Sequence, residues 1–435
     1  MKPIKVVILG CGSRGNGFAK RMAELPEKYQ VVAVADPKEI CLKKMRDILG
    51  IGPEACYTDW RQILSQPKVA DLAIIATMDK DHYEPAMEAI ALGYHLLLEK
   101  PVAPTPEECA DIAHAAQEAG VTVLVCHVLR YAPFYRKVKE LLLADTIGTP
   151  MSLVMVEGVG HIHYSSSYVR GQWHSEAESS PMLLAKSCHD LDIIQWLMDR
   201  PCKQVQSFGS LTHFTPEQAP EGAPVRCADG GCPVGETCPY NCMKIYYEDR
   251  TERNFYRRGI TKGISTKRIP DDEEVLPVLQ NTDYGLCVYH ANNDVTDHQV
   301  VNLEFEGGAT ASFSVNAFNE GGRYIRIFGT KGELYANASD TEIRIFTFEG
   351  KKHTAVSVLK TDESIVGGHG GGDDGILRDL YESLAGTYTG HSIATIDTSV
   401  KNHFIGFAAE RARRRNTVVS IDEYMQELGF ENRYK

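Results

Sequence analysis

The sequence predicts an α/β protein in two parts: a doubly wound parallel sheet, then an α/β domain with a large open mixed or antiparallel sheet. Three observations lead there. Residues 4–9, 31–35, 72–77, 95–98 and 121–126 are short Val, Ile and Leu runs without alternation, as strands buried on both faces require. Helical patterns at 15–25, 38–48, 82–92 and 106–119 separate them, and such sustained alternation selects a parallel sheet. After "RYAPFY" the strands become longer and alternating, in "MSLVMVEGVG", "CKQVQSFGSL", "HQVVNLEFEGGATASFSVNAF" and "RYIRIFGTKGELYAN", with glycine turns between them.

The division falls at 1–129 and 130–435, since single cores rarely grow past ~250–300 residues. In the first part, "PTPEECADIA" opens the 106–119 helix with Thr105 as cap and Pro106 at the first helical position. In the second part, residues 213–285 form an irregular insert with four cysteines, and a helical stretch at 373–413 closes the chain. The half-open second sheet presents one broad face, which predicts a homo-oligomer, dimer or tetramer.

Composition is that of a folded globular protein, with 43% hydrophobic and 24% charged residues. A formal charge of -12 argues against nucleic-acid or anionic-membrane partners, which need a basic face; "RARRR" at 411–415 reads as a solvated helix end. "MKPIKVVILG" enters an apolar strand without a leader pattern, and no apolar run of 18 residues follows, so the expectation is a cytoplasmic protein outside the membrane. The 12 cysteines are then expected reduced.

"VVILGCGSRGNGFAKRMAEL" sets Gly10, Gly12 and Gly15 between a strand and a helix, with Ser13 and Arg14 at the helix start and Asp36 ending the next strand. Gly10 permits the tight turn, Gly12 lets backbone approach a pyrophosphate, and Gly15 allows close helix packing over the helix N-terminus. An acid at Asp36 accepts ribose hydroxyls and repels a 2′-phosphate. The predicted cofactor is NAD rather than NADP.

"AIIATMDKDHYEPAMEAIALGYHLLLEKP" (73–101), "KSCHDLDIIQWL" (186–197) and "FGTKGEL" (328–334), added to the glycine loop, resemble the Gfo/Idh/MocA family of glucose-fructose oxidoreductase and inositol dehydrogenase-like proteins over nearly the whole chain. The resemblance implies an N-terminal Rossmann domain, a C-terminal α/β domain, and hydride exchange between nicotinamide and a small-molecule carbohydrate, sugar or polyol. Within "EKP", Glu99 and Lys100 would lie at the cofactor, Lys100 also touching the substrate hydroxyl. Thr77 and His82 fall where the family's chain passes the cofactor. "CHVLRYAPFY" resembles the crossing between domains, which sets His127 at the cofactor and Tyr131 at the substrate.

Many relatives carry D-x-x-x-H on the helix corresponding to 183–198. Here the histidine is His189, but four residues before it stands Ala185. At about 100° per residue, Lys186, His189, Asp190 and Ile193 share a wet arc, while Leu184, Cys188, Leu191, Ile194 and Met198 make a core stripe. The expected roles are His189 exchanging the substrate proton, Lys186 filling the space of the missing aspartate, Asp190 facing substrate and Asp192 orienting the histidine; a lysine paired with Asp190 or Glu178 is the other reading.

Upstream, "GVGHIHYSSSYVRGQWHSEAESSP" offers His161, His163, Tyr164, Arg170, Trp173 and His174 as a substrate loop, with Trp173 and Arg170 as an aromatic platform and forked donor. "GGHGGGDDGIL" (367–377) reads as a glycine-rich loop presenting His369, capped by Asp373 or Asp374. Cys227, Cys232, Cys238 and Cys242 form a C-x4-C-x5-C-x3-C array in which four thiolates could hold one structural zinc. The array lacks CxxC pairs, so unligated thiols remain the other reading.

The leading function is an NAD-dependent oxidoreductase acting on a sugar, polyol or glycoside hydroxyl. A second is an NAD-dependent glycosidase that oxidises C3 transiently, eliminates the aglycone and returns the hydride. A third, a non-catalytic NAD-linked sensor, predicts loss of Lys100, which is retained.

Overall fold

The protein is described by a computed structural model covering residues 2–251, 254–358 and 368–430. Six strands form the first sheet: β1 (Ile4–Leu9), β2 (Tyr29–Ala35), β3 (Cys56–Tyr57), β4 (Leu72–Ile75), β5 (His95–Leu98) and β6 (Val123–Val125). All neighbours are parallel in the order β3-β2-β1-β4-β5-β6, which reverses beside β1 and opens a crevice at the strand ends for a ligand. Of these strands only the two-residue β3 escaped prediction, being too short to carry an apolar run. Thr105 caps its helix as expected: its hydroxyl accepts Glu108 N–H at 3.3 Å, with Pro106 following, a cap worth about 1 kcal/mol.

The second sheet has nine strands: β7 (Pro150–Gly158), β8 (Cys202–Ser210), β9 (His298–Phe305), β10 (Thr310–Asn316), β11 (Gly322–Gly329), β12 (Gly332–Asn337), β13 (Glu342–Thr347), β14 (Lys352–Ser357) and β15 (Val419–Ser420), in the order β14-β13-β12-β11-β7-β10-β9-β8-β15. It is mixed, because β10 runs parallel to β7 while the other neighbours are antiparallel. Strict alternation in β9 and β11 turns one face toward the helices Cys188–Met198 and Ile396–Arg415. On the other face Phe208, Val300 and Tyr324 fall in one cross-strand row and are exposed.

The packing departs from the sequence division in one respect. The expected 373–413 helix is two helices, Gly368–Leu384 and Ile396–Arg415. The first buries Ile376, Leu377 and Leu380 in one cluster with Val6, Ile8 and Leu124 of the parallel sheet. A segment from the end of the chain therefore completes the core of the first sheet. The loop expected at 367–377 is helical from Gly368, with His369, Gly370 and Gly371 at positive φ inside it; Gly367 lies outside the described residues.

Candidate active site

Two glycines of the loop after β1 exclude any side chain. Gly10 has φ +95°, and a Cβ there would stand 2.3 Å from Ala76 O; a Cβ on Gly15 would stand 1.9 Å from Gly10 O. Gly12 differs, since its nearest neighbour would be Lys262 Nζ at 4.0 Å. That side of the loop is open, and no side chain caps the helix Ser13–Ala23 beneath it, leaving its first N–H groups for an anion. Ser13 is exposed there. Thr77 adjoins Gly10 and turns its hydroxyl to Asp81 O at 2.9 Å. Asp36 accepts Cys11 N–H at 2.8 Å and Lys38 N–H at 2.9 Å. Each carboxylate oxygen thus carries one backbone donor and keeps a further lone pair for a ribose hydroxyl. Loop, helix end and acid fit a dinucleotide.

At the C-terminal end of β5, the buried Glu99 accepts Arg14 Nε at 2.5 Å, and Arg14 also clasps Asp373 at 2.9 and 3.0 Å. Expected at the cofactor, Arg14 and Glu99 are bound to each other and to a residue 359 positions on. His369 joins them, its Nδ1 3.2 Å from Asp373. Burial works against the Asp373 anion, yet the hydrogen bond from His369 and the charge of Arg14 hold it below the usual carboxylate range. His82 places Nδ1 2.7 Å from Pro101 O, which braces the turn carrying Lys100, and its buried Nε2 has no partner among the described residues.

The expected continuous helix over 183–198 is broken into Met182–Ala185 and Cys188–Met198. Lys100 Nζ donates to Ala185 O at 2.9 Å, a carbonyl at that break. His189 follows, 6% exposed, with Nδ1 lacking a partner among the described residues. Its ring lies 5.9 Å from His127 and 6.2 Å from His369, centroid to centroid. Burial, reinforced by the charge of Lys100, pushes His189 well below its ordinary pKa. Burial and the nearby cation therefore disfavour the charged imidazolium. His127 is fully buried, with no hydrogen bond to either ring nitrogen among the described residues and Nδ1 4.0 Å from Asp192, and burial brings it down to about 4.

The wet arc expected on this helix is buried: Asp190 is 0% and Asp192 1% exposed. Asp192 accepts Arg130 Nε at 2.6 Å, Arg130 Nη2 at 2.7 Å and Asn402 Nδ2 at 2.5 Å. Asp190 accepts Arg323 Nε at 2.7 Å, while its Oδ2 has no partner among the described residues. Arg323 also meets Glu157 at 2.6 Å, and Lys186 pairs with Glu157 at 3.1 Å, not with Asp190 or Glu178 as expected. Burial, with Glu157 adding to it, pushes Asp190 up to about 7 against the pull of Arg323. Burial and the charges of Lys186, Arg323 and Lys100 bring His163 down to about 3. Glu157 and Arg323 were missed, although a charge at an inward position of each alternating strand was the available signal.

Much of the expected substrate loop serves structure instead. Tyr164 and Tyr131 are 0% and 1% exposed; the first donates to Thr296 O at 2.8 Å, the second accepts Ala394 N–H at 3.0 Å. Arg170 is buried and gives Nε to Leu286 O and Nη2 to Tyr240 O, both at 2.8 Å, so its fork holds the insert. Trp173 stacks on Tyr168 and donates Nε1 to Asp79 at 3.1 Å. His161 Nδ1 lies 3.2 Å from Asn319 O, and His174 Nδ1 3.0 Å from Gly171 O.

The cysteine array is corrected as well. Among the described residues no three His, Cys, Asp or Glu groups stand close enough to hold a metal. Cys227, Cys232 and Cys238 line a small cavity together with Cys287, while Cys242 turns into the insert's own core with Ile245 and Tyr246. A C-x3-C spacing cannot reveal that divergence. Nor is any helix among the described residues long and apolar enough to cross a membrane.

With this geometry in view, the relatives are informative. The sequence profile of the Gfo/Idh/MocA oxidoreductases, described as the NAD-binding Rossmann fold of an oxidoreductase family, matches residues 4–127, and that of the family's C-terminal alpha/beta domain matches residues 139–421. The chain belongs to this family. It is 26% identical to YteT of Bacillus subtilis (strain 168), provisionally an oxidoreductase, over 89% of this chain and 93% of that one. It is also 26% identical to the inositol 2-dehydrogenase/D-chiro-inositol 3-dehydrogenase of Lactiplantibacillus plantarum (strain ATCC BAA-793 / NCIMB 8826 / WCFS1), over 49% of this chain and 56% of that enzyme. In fold it resembles levoglucosan dehydrogenase, solved with NADH and L-sorbose, with TM-score 0.69 and 17% identity over 97% of this chain and 99% of that one.

Proposed function

We propose that this family member is an NAD-dependent dehydrogenase of a sugar or polyol hydroxyl. One observation carries the reading: a buried His189, whose Nδ1 has no partner among the described residues, stands beside Lys100 at the C-terminal edge of the parallel sheet, where ligands bind in such folds. Inositol and levoglucosan dehydrogenases among the relatives support the substrate class.

Gly10, Gly12, Gly15, the helix start at Ser13 and Asp36 would hold the dinucleotide, whose nicotinamide, when bound, takes up a hydride. Lys100 uses one ammonium hydrogen on Ala185 O and keeps two for a substrate oxygen. It orients the hydroxyl and stabilises developing negative charge as the proton leaves. His189 takes that proton as general base. The C–H electron pair departs as hydride, leaving a carbonyl, so the substrate loses two electrons and one proton passes to the imidazole. Arg323 and Lys186, anchored on Glu157 and Asp190, present cationic groups to the remaining hydroxyls.

The test is NADH release across a panel of polyols, sugars and glycosides. Lys100→Met is expected to lower turnover by ~10²–10⁴-fold while leaving dinucleotide titration near wild type; unchanged turnover would remove Lys100 from the mechanism. NAD-dependent aglycone release without NADH accumulation would replace the dehydrogenase with the redox-neutral glycosidase.

A further inference from the structure

The insert reaches the cofactor loop. After the helix Phe255–Ile260 the chain turns at Thr261, and Lys44, on the helix Glu39–Leu49 of the first domain, donates Nζ to Lys262 O at 3.3 Å and Ser265 O at 2.8 Å. This pins the turn across the end of β2. The Lys262 side chain then faces Gly12, where a Cβ would lie 4.0 Å from its Nζ, and Lys38 Nζ stands 3.5 Å from a Cβ built on Gly263.

Lys262 thus lies within electrostatic reach of Lys38, Lys44 and Asp36, and both oxygens of Asp36 already accept backbone N–H donors. No acceptor among the described residues receives a hydrogen bond from Lys262 Nζ. Burial brings Lys262 down to about 8, opposed by Cys41 and Asp36 and reinforced by Lys44 and Lys38. A partly desolvated cation with no direct ion pair among the described residues, over the one glycine of the loop left open and above a helix N-terminus, is completed by an anion.

We propose that Lys262, with Lys38, binds a phosphate at the adenosine end of the dinucleotide, making the insert a determinant of cofactor selection. The proposal rests on the dinucleotide reading above. The distance to Gly12 favours the diphosphate, since Asp36 repels a ribose 2′-phosphate, and the two cofactors separate these sources.

The experiment titrates the full-length protein with NADH and with NADPH, following nicotinamide fluorescence. Lys262→Gln is expected to weaken binding on the order of tenfold, equally for both cofactors if the diphosphate is held and for NADPH alone if the 2′-phosphate is. Lys262→Arg restores affinity, and the melting temperature of each variant stays at the wild-type value. A wild type that binds neither dinucleotide overturns the underlying reading. A wild type that binds, with a Lys262→Gln that binds both cofactors equally well, overturns the role of Lys262 alone.

Discussion

Asp190 and Asp192 stand two residues apart on one helix and are equally buried, yet their surroundings differ. Asp192 has both oxygens partnered, by a bidentate arginine and an asparagine. Asp190 belongs to a cluster with Lys186, Glu157 and Arg323 in which its Oδ2 has no partner among the described residues. Buried polar atoms are normally paired, and of the two carboxylates only Asp192 has a partner on each oxygen among the described residues. The difference lies in partners supplied by other elements, not in the helix itself.

The largest effect should come from removing a partner of Asp192. Arg130→Met leaves Asp192 as a buried charge with Asn402 alone donating to it, and unfolding by denaturant should show a loss of about 3–5 kcal/mol; a loss below about 1 kcal/mol would mean that Arg130 does not hold the domain crossing. Acidification probes the histidines around both clusters. His127 and His403, held near about 4 and about 3 by burial, contribute stability that is present above the unfolded pKa of ~6.5 and is lost as pH falls toward those values. Asp190, raised to about 7, acts oppositely, losing its contribution as pH rises from about 4. With His163 and His189 depressed in the same sense, the histidine protons outweigh the one carboxyl and stability falls between pH ~6.5 and ~5, read as a falling melting temperature; a flat profile would mean that these histidines titrate freely. The smallest effect on stability belongs to Asp190→Asn, about 1 kcal/mol or less. Its signature is kinetic: the kcat/KM profile should lose a limb near pH 7, and a profile identical to wild type would put Asp190 outside the reaction.

Much of the first domain was legible, because strands buried on both faces write continuous apolar runs and the glycine loop writes its own spacing. Lys100 and His189 stood out through motif position. The wet arc failed because a helical wheel treats the helix alone: the partners of Asp190 and Asp192 arrive from Glu157, Arg323, Arg130 and Asn402, far away in sequence. The break at Lys186–Ser187 carries no glycine or proline to announce it. Arg170 and Tyr164 looked like ligand groups because residue type does not reveal that a guanidinium faces two backbone carbonyls or that a phenol lies in a core. Lys262 gave no signal at all, since its meaning comes from a turn folding back across more than two hundred residues.

The helix Gly368–Leu384 has a consequence for how the chain is made. Ile376, Leu377 and Leu380 cover the same core as Val6 and Ile8, so the parallel sheet waits uncovered until a segment more than two hundred residues further along the chain has been made. A nascent chain halted after residue 129 would carry its own glycine loop and all six parallel strands, with a strip of apolar surface still open to chaperones or to aggregation.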